Sequence, residues 1–201
     1  MLTGRSSRAA ADAEILRDSR ERPERFAELF DAYHREIYQY VASRLSVGHA
    51  DDLAAETFLV AFRGRGRFVG EEGGQVRAWL YGIATNLIRR HRRDEERKYR
   101  ALARADALQR ADHDDDHDDR IVARVAAYHV QRDLAAALRS LSRGDRDVLL
   151  LVALAQLSYA EVATALGLAE GTVASRLNRA RKAVRAALGG TDPTRDQIGA
   201  P

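Results

Sequence analysis

The stretch LSYAEVATALGLAEGTVASRLNRARKAVR, Leu157–Arg185, decides how this chain is read. Ser158 followed three residues later by Glu161 spells a capping box, in which each side chain satisfies a backbone N–H at a helix start. Tyr159, Val162, Ala163 and Leu166 recur at helical spacing. Gly167 stands where a helix ends in a left-handed residue. Leu168 plugs the turn, and a second helix is expected from Ala169 or Glu170. Val173, Leu177, Ala180 and Val184 give that helix one apolar face, and Thr172, Ser175, Arg176, Asn178, Arg179 and Lys182 lie on the other. A packed first helix, a glycine turn and a basic second helix make a helix-turn-helix able to enter a major groove.

Between Glu170 and Leu188 five basic residues (Arg176, Arg179, Arg181, Lys182, Arg185) face one Glu. Such charge supplies affinity for phosphates, while Ser175 and Asn178 suit base edges. A solvated basic face on a packing helix would share this charge. The capping box, turn and basic helix in that order favour DNA.

The rest of the 201 residues is compatible with an all-α protein. Ala, Leu, Arg, Asp and Glu dominate, and three Pro interrupt. The net charge is only +3, so its distribution matters more than its total. There is no cysteine, which excludes disulfides and thiolate metal sites and fits a reducing cytoplasm. The longest apolar run, Val148–Ala155, falls well short of the about 20 residues a bilayer span needs. Residues 1–23 lack an apolar stretch and are expected to be a disordered tail without a signal peptide.

Phe26, Leu29, Phe30, Tyr33, Ile37, Val41 and Leu45 predict a helix over 24–45, with Gly48 as a breaker after it. Asp51 or Asp52 is expected to cap a helix over 53–62 whose apolar residues cover much of its circumference. Such a helix must be covered on several sides, by the domain interior or by a partner. The glycine-rich stretch 63–75 reads as a loop. It lacks the Lys-Ser/Thr ending and preceding strand of a phosphate-cradling loop. Val76, Trp79, Leu80, Ile83, Ala84, Leu87 and Ile88 predict a helix over 76–93. Its end is basic: seven Arg or Lys against three acids from Arg89 to Arg100, more than a helix dipole asks for, so a polyanion is the better account.

The block DHDDDHDDR at 112–120 marks the expected domain boundary, a flexible acidic linker over 98–128. His113 and His117 stand at i, i+4, a spacing that allows a metal, but a solvated linker is the preferred reading and no metal or cofactor is expected. The expected organisation is two small helical domains, 24–97 and 129–188, followed by a disordered tail over 189–201. Ser142 with Asp145 is expected to start a helix whose core is Val148–Leu154. Two basic helices on separate modules imply two separated DNA contacts.

Three segments, HADDLAAETFLVAF at 49–62, RAWLYGIATNLIRRHRR at 77–93 and LSYAEVATALGLAEGTVASRLNRARKAV at 157–184, carry a resemblance. In this order and spacing the chain resembles the extracytoplasmic-function sigma factors, the smallest class of the bacterial sigma-70 family. The resemblance covers about Phe26–Arg97 and Val130–Leu188. It implies a cytoplasmic, non-enzymatic protein that binds core RNA polymerase, recognises the −10 and −35 promoter elements and directs transcription initiation. Region 2 would be 24–97 and region 4 129–188.

By that resemblance Asp52, Leu53, Glu56, Thr57 and Phe58 dock on the clamp coiled coil of the β′ subunit, with core packing an equal account of Leu53. The β flap is a further polymerase contact. Phe68, Asn86, Arg89, Arg90 and Arg93 serve the −10 element, the arginines holding phosphate and Asn86 and Phe68 receiving an unstacked base. Trp79 lies on the apolar stripe and is expected to pack. Thr172, Ala174, Ser175, Arg176, Asn178, Arg179, Arg181 and Lys182 serve the −35 element. An anti-sigma factor is an expected partner, whereas a small-molecule substrate and direct membrane insertion are not. The alternative is a stand-alone helix-turn-helix regulator that needs no polymerase.

Overall fold

The computed structural model describes residues 2–45, 47–68, 75–107 and 134–188, and all their regular secondary structure is helical. The first module is built on α2, Phe26–Ala42, which follows a short 3-10 turn at Pro23–Arg25. Its buried residues Phe26, Leu29, Tyr33, Ile37, Tyr40 and Val41 fall at helical steps.

The expected disordered tail is instead a helix, α1, Leu2–Asp18. Leu16 is buried, and the buried carboxylate of Asp12 accepts a hydrogen bond from the Tyr33 hydroxyl. The Ser19 hydroxyl closes the end by donating to the Leu16 carbonyl at 2.7 Å. The segment has no apolar stripe, so periodicity did not announce it; it is held by a few contacts with α2 and α4.

Helix α3, Val47–Gly64, begins earlier than expected. Gly48 therefore lies in its first turn, and Asp51 and Asp52 are exposed positions within it rather than caps. Ala50, Leu53, Ala54, Thr57, Phe58 and Ala61 turn inward. Of the stretch expected as a loop, Arg63 and Gly64 end α3 and Arg65–Arg67 form a 3-10 turn, while 69–74 lie outside the described residues. Arg65 donates to the carbonyls of Phe62 at 2.6 Å and Ser19 at 3.0 Å.

Helix α4, Gln75–Ala107, runs past the expected end at Arg93 and takes in the first ten residues assigned to the linker. Its second half lacks an apolar stripe and carries charge pairs one turn apart instead: Arg90–Asp94, Arg97–Asp94 and Arg100–Glu96. Each such pair is worth about 0.2–0.5 kcal/mol, and several together sustain a polar helix. The acidic block with His113 and His117, and the tail 189–201, lie outside the described residues.

The second module comprises α5 (residues 134–140), α6 (Arg143–Ala153), α7 (Tyr159–Leu166) and α8 (Glu170–Ala187). Ser142 caps α6 as expected, accepting from the Asp145 amide at 3.1 Å. The modules do not stand apart. Helix α4 packs along α7 so closely that Gly82 has the Ala165 backbone where a Cβ would sit. Arg77 of α4 donates to the Ala155 carbonyl at 2.8 Å, and Arg143 of α6 reaches Glu96 at 3.0 Å.

Candidate nucleic-acid and polymerase interface

The helix-turn-helix forms as its sequence dictates. Ser158 accepts from the Glu161 amide at 3.2 Å, and the Glu161 carboxylate accepts from the Ser158 amide at 2.7 Å. Gly167 adopts φ 63° and ψ 44°, a left-handed conformation that costs glycine least. The Leu168 amide then reaches the Ala163 carbonyl at 2.9 Å. Ala169 begins α8 with no side-chain cap, since alanine has no acceptor to offer.

On α8, Val173, Leu177, Ala180 and Val184 are buried, which aims the opposite face outward. Ala174, Ser175, Asn178, Arg179 and Lys182 are exposed; Thr172, Arg176 and Arg181 are half-buried. Asp145 holds Arg179 at 2.9 Å, and that hydrogen bond, ahead of all other causes, keeps the Asp145 carboxyl below its usual range.

On α4, Asn86, Arg90 and Arg93 are exposed along the helix edge. Arg89 is half-buried because its Nε donates to Asp147 of α6 at 2.6 Å. Phe68 packs against Trp79 with ring centroids 4.9 Å apart and the planes tilted by 46°, and its carbonyl accepts from Arg20 at 3.2 Å. Phe68 is thus held in a packing contact, and Trp79 packs as its stripe position requires.

The five residues expected to dock on polymerase divide by burial. Asp52 and Glu56 are exposed, whereas Leu53, Thr57 and Phe58 are 7%, 0% and 4% exposed. The Thr57 hydroxyl is spent on the Leu53 carbonyl at 2.7 Å, and Phe58 meets Phe30 edge-on at 4.9 Å. These three therefore shape α3 from below rather than touch a partner on this surface. The outward row from Asp52 and Glu56 continues with Leu59 and Val60, which are 47% and 38% exposed. They stand seven and eight residues after Asp52, the helical spacing that puts them on its face.

For a metal, His49, His91 and Glu95 are the described residues whose ligand atoms gather, within 4.8 Å of one another. No described helix is long and apolar enough to cross a membrane.

Comparison with known proteins settles what these two basic modules are. Residues 29–98 match sigma-70 region 2, and residues 131–184 match sigma-70 region 4. The ECF RNA polymerase sigma factor SigC of Mycobacterium tuberculosis is 32% identical over 155 residues, covering 77% of this chain and 78% of that protein. The chain belongs to the extracytoplasmic-function sigma factors of the sigma-70 family. SigL of the same organism is 31% identical over 185 residues, 91% of this chain and 94% of that one. The fold is also that of CnrH, solved in complex with the cytosolic domain of CnrY. The TM-score is 0.63 at 24% identity, over 89% of this chain and 97% of that one. RpoE of Bartonella quintana, solved with the anti-sigma factor NepR, matches with TM-score 0.54 at 22% identity, over 82% of this chain and 96% of that one.

This sigma factor accordingly binds core RNA polymerase and directs recognition of promoter DNA and transcription initiation. The stand-alone regulator falls away, because residues 29–98 are region 2 rather than a sensor domain.

Proposed function

We propose that this sigma factor reads its promoter with two faces. On α8, Ala174, Ser175, Asn178 and Arg179 meet −35 base edges, while Thr172, Arg176, Arg181 and Lys182 hold phosphate. On α4, Asn86 receives an unstacked −10 base, Phe68 serves the same element once released from Trp79, and Arg89, Arg90 and Arg93 grip the backbone. The observation that carries this reading is the outward exposure of Ser175, Asn178 and Arg179 over a fully buried apolar face. Region 2 is assigned to 24–97 and region 4 to 129–188, with the segment between them joining two modules that part on the polymerase.

Asp52 and Glu56, with Leu59 and Val60 beside them, are proposed to meet the β′ clamp coiled coil, an apolar strip flanked by acid. An apolar groove of about 330 Å³ lined by Leu134, Leu138, Leu149, Leu154 and Val184 of region 4, with Ser43 of region 2 also in its wall, is proposed for the β flap. The protein is proposed to be a cytoplasmic, non-enzymatic factor restrained by an anti-sigma factor, as family membership suggests. Run-off transcription with purified core polymerase tests the reading. Start sites are expected to share a −10 and a −35 element. Equal duplex binding with and without core enzyme, or transcripts unaffected by changes to Ser175 and Asn178, would falsify it.

A further inference from the structure

Between the modules lies a cleft of about 110 Å³ walled by Arg44, Arg89, Arg92, Arg93, Arg143 and Arg146. Asp147 and Glu96 are the carboxylates there, so six guanidinium groups face two acids. Asp147 is consumed by Arg44 and by Arg89, and Glu96 by Arg143. Arg92 and Arg146 bond to neutral carbonyls instead, Arg92 to Arg44 at 2.6 Å and Arg146 to Arg139 and Leu141 at 2.8 and 3.1 Å. Neither has an ion pair of its own among the described residues, and Asp147 offsets both only through space while it is already shared by Arg44 and Arg89.

Three further observations point the same way. The Nε atoms of Arg44 and Arg146 are buried and have no hydrogen-bond partner, although the Arg44 side chain is only 2% exposed. An orphaned buried donor costs about 1–3 kcal/mol, more on a charged group, so such donors ask for an acceptor. Burial, and after it the nearby Arg44 and Arg146, lowers the pKa of Arg92, as expected of a cation crowded by cations. The first turn of α6, with its positive dipole end, contributes Arg143 and Arg146, and Asp147 follows directly after it.

We infer that this cleft binds an oxyanion of the phosphate class, bridging α4 and α6. The space equals three or four waters at about 30 Å³ each, enough for one tetrahedral oxyanion and not for a duplex. Arginine forks suit it, because paired N–H groups match phosphate oxygens. The ligand is a free phosphate or the terminal phosphate of a larger molecule. Bound there, it cancels the arginine excess and fastens the modules together, occupying Arg89 and Arg93. The inference stands on the packed arrangement and not on which residues read the promoter.

The test is calorimetric titration of the full chain with inorganic phosphate, pyrophosphate and a metal-free nucleoside triphosphate, against sodium chloride at matched ionic strength. Saturable one-to-one binding is expected. Phosphate-only binding identifies the free ion, and tighter triphosphate binding identifies a terminal phosphate. Arg92→Gln on α4 and Arg143→Gln on α6 are each expected to weaken binding by roughly tenfold, the loss of one charge-assisted bond. Arg143 is 65% exposed, so its variant keeps the fold, and Arg92→Lys is expected to recover part of the loss. Heat that never saturates or that chloride reproduces overturns the inference. So does binding that is unchanged in either variant, since a site on one module would answer to one wall alone.

Discussion

Asp147 of α6 joins Arg89 of α4 across 58 positions of chain, Oδ2 to Nε at 2.6 Å, while its own side chain is 2% exposed. Its other oxygen takes Arg44, which is equally buried. One region 4 carboxylate therefore holds an arginine proposed to grip promoter backbone. The packed arrangement and DNA compete for Arg89.

Asp147→Ala is expected to part the modules. Breaking a buried pair by removing one partner costs about 3–5 kcal/mol, because the other charge is stranded. Arg44 and Arg89 escape that cost by meeting water, which requires the modules to open. Small-angle scattering is expected to show a larger radius of gyration with helical content retained. A variant as compact and as heat-stable as the parent would remove Asp147 as the latch.

Gly82→Ala probes the same interface without changing charge. In a free helix the substitution would favour folding by about 1 kcal/mol. Here the added Cβ collides with the Ala165 carbonyl, a backbone group that cannot swing aside. The expected result is an expanded molecule at every salt concentration. A tighter, more stable variant would show that α4 and α7 do not pack this way.

Arg179→Ala is expected to weaken −35-dependent promoters and to lower the salt slope of binding by about 1. Fold stability is expected to change little. The Arg179 side chain is 61% exposed, and exposed pairs such as that with Asp145 contribute about 0–1 kcal/mol. Promoter output equal to that of the parent across a salt series would exclude this face of α8.

Asp12 sets a pH dependence for α1. Burial raises its carboxyl pKa, opposed by the Tyr33 hydrogen bond and the charge of Arg8. The native state then keeps its proton to higher pH than the unfolded chain. The associated stability is full below the unfolded value of about 3.9 and is lost as pH rises through the raised native value. Asp12→Asn retains an acceptor for the Tyr33 hydroxyl and is expected to slow amide exchange in α1 at neutral pH. Faster exchange would mean that the ionised form is the one that docks α1.

Local chemistry was legible in the sequence. The Ser158–Glu161 box, the Gly167 cap, the Ser142 cap and the buried faces of α2 and α8 depend on neighbours within one or two turns. Spacing alone fixes such features. The end of α4 was less legible, because ion pairs rather than an apolar stripe carry it beyond Arg93.

Residue pattern was thus enough for α2, α3, the first half of α4, α6 and the helix-turn-helix, and for the presence of two basic modules. Only tertiary structure decided that α1 docks, that Thr57 and Phe58 point inward while Leu59 and Val60 point outward, and that Asp147 claims Arg44 and Arg89. A helical repeat says which residues share a face, not which face meets which neighbour. That choice rests on contacts between residues as far apart as Arg44 and Asp147, and no local pattern records them.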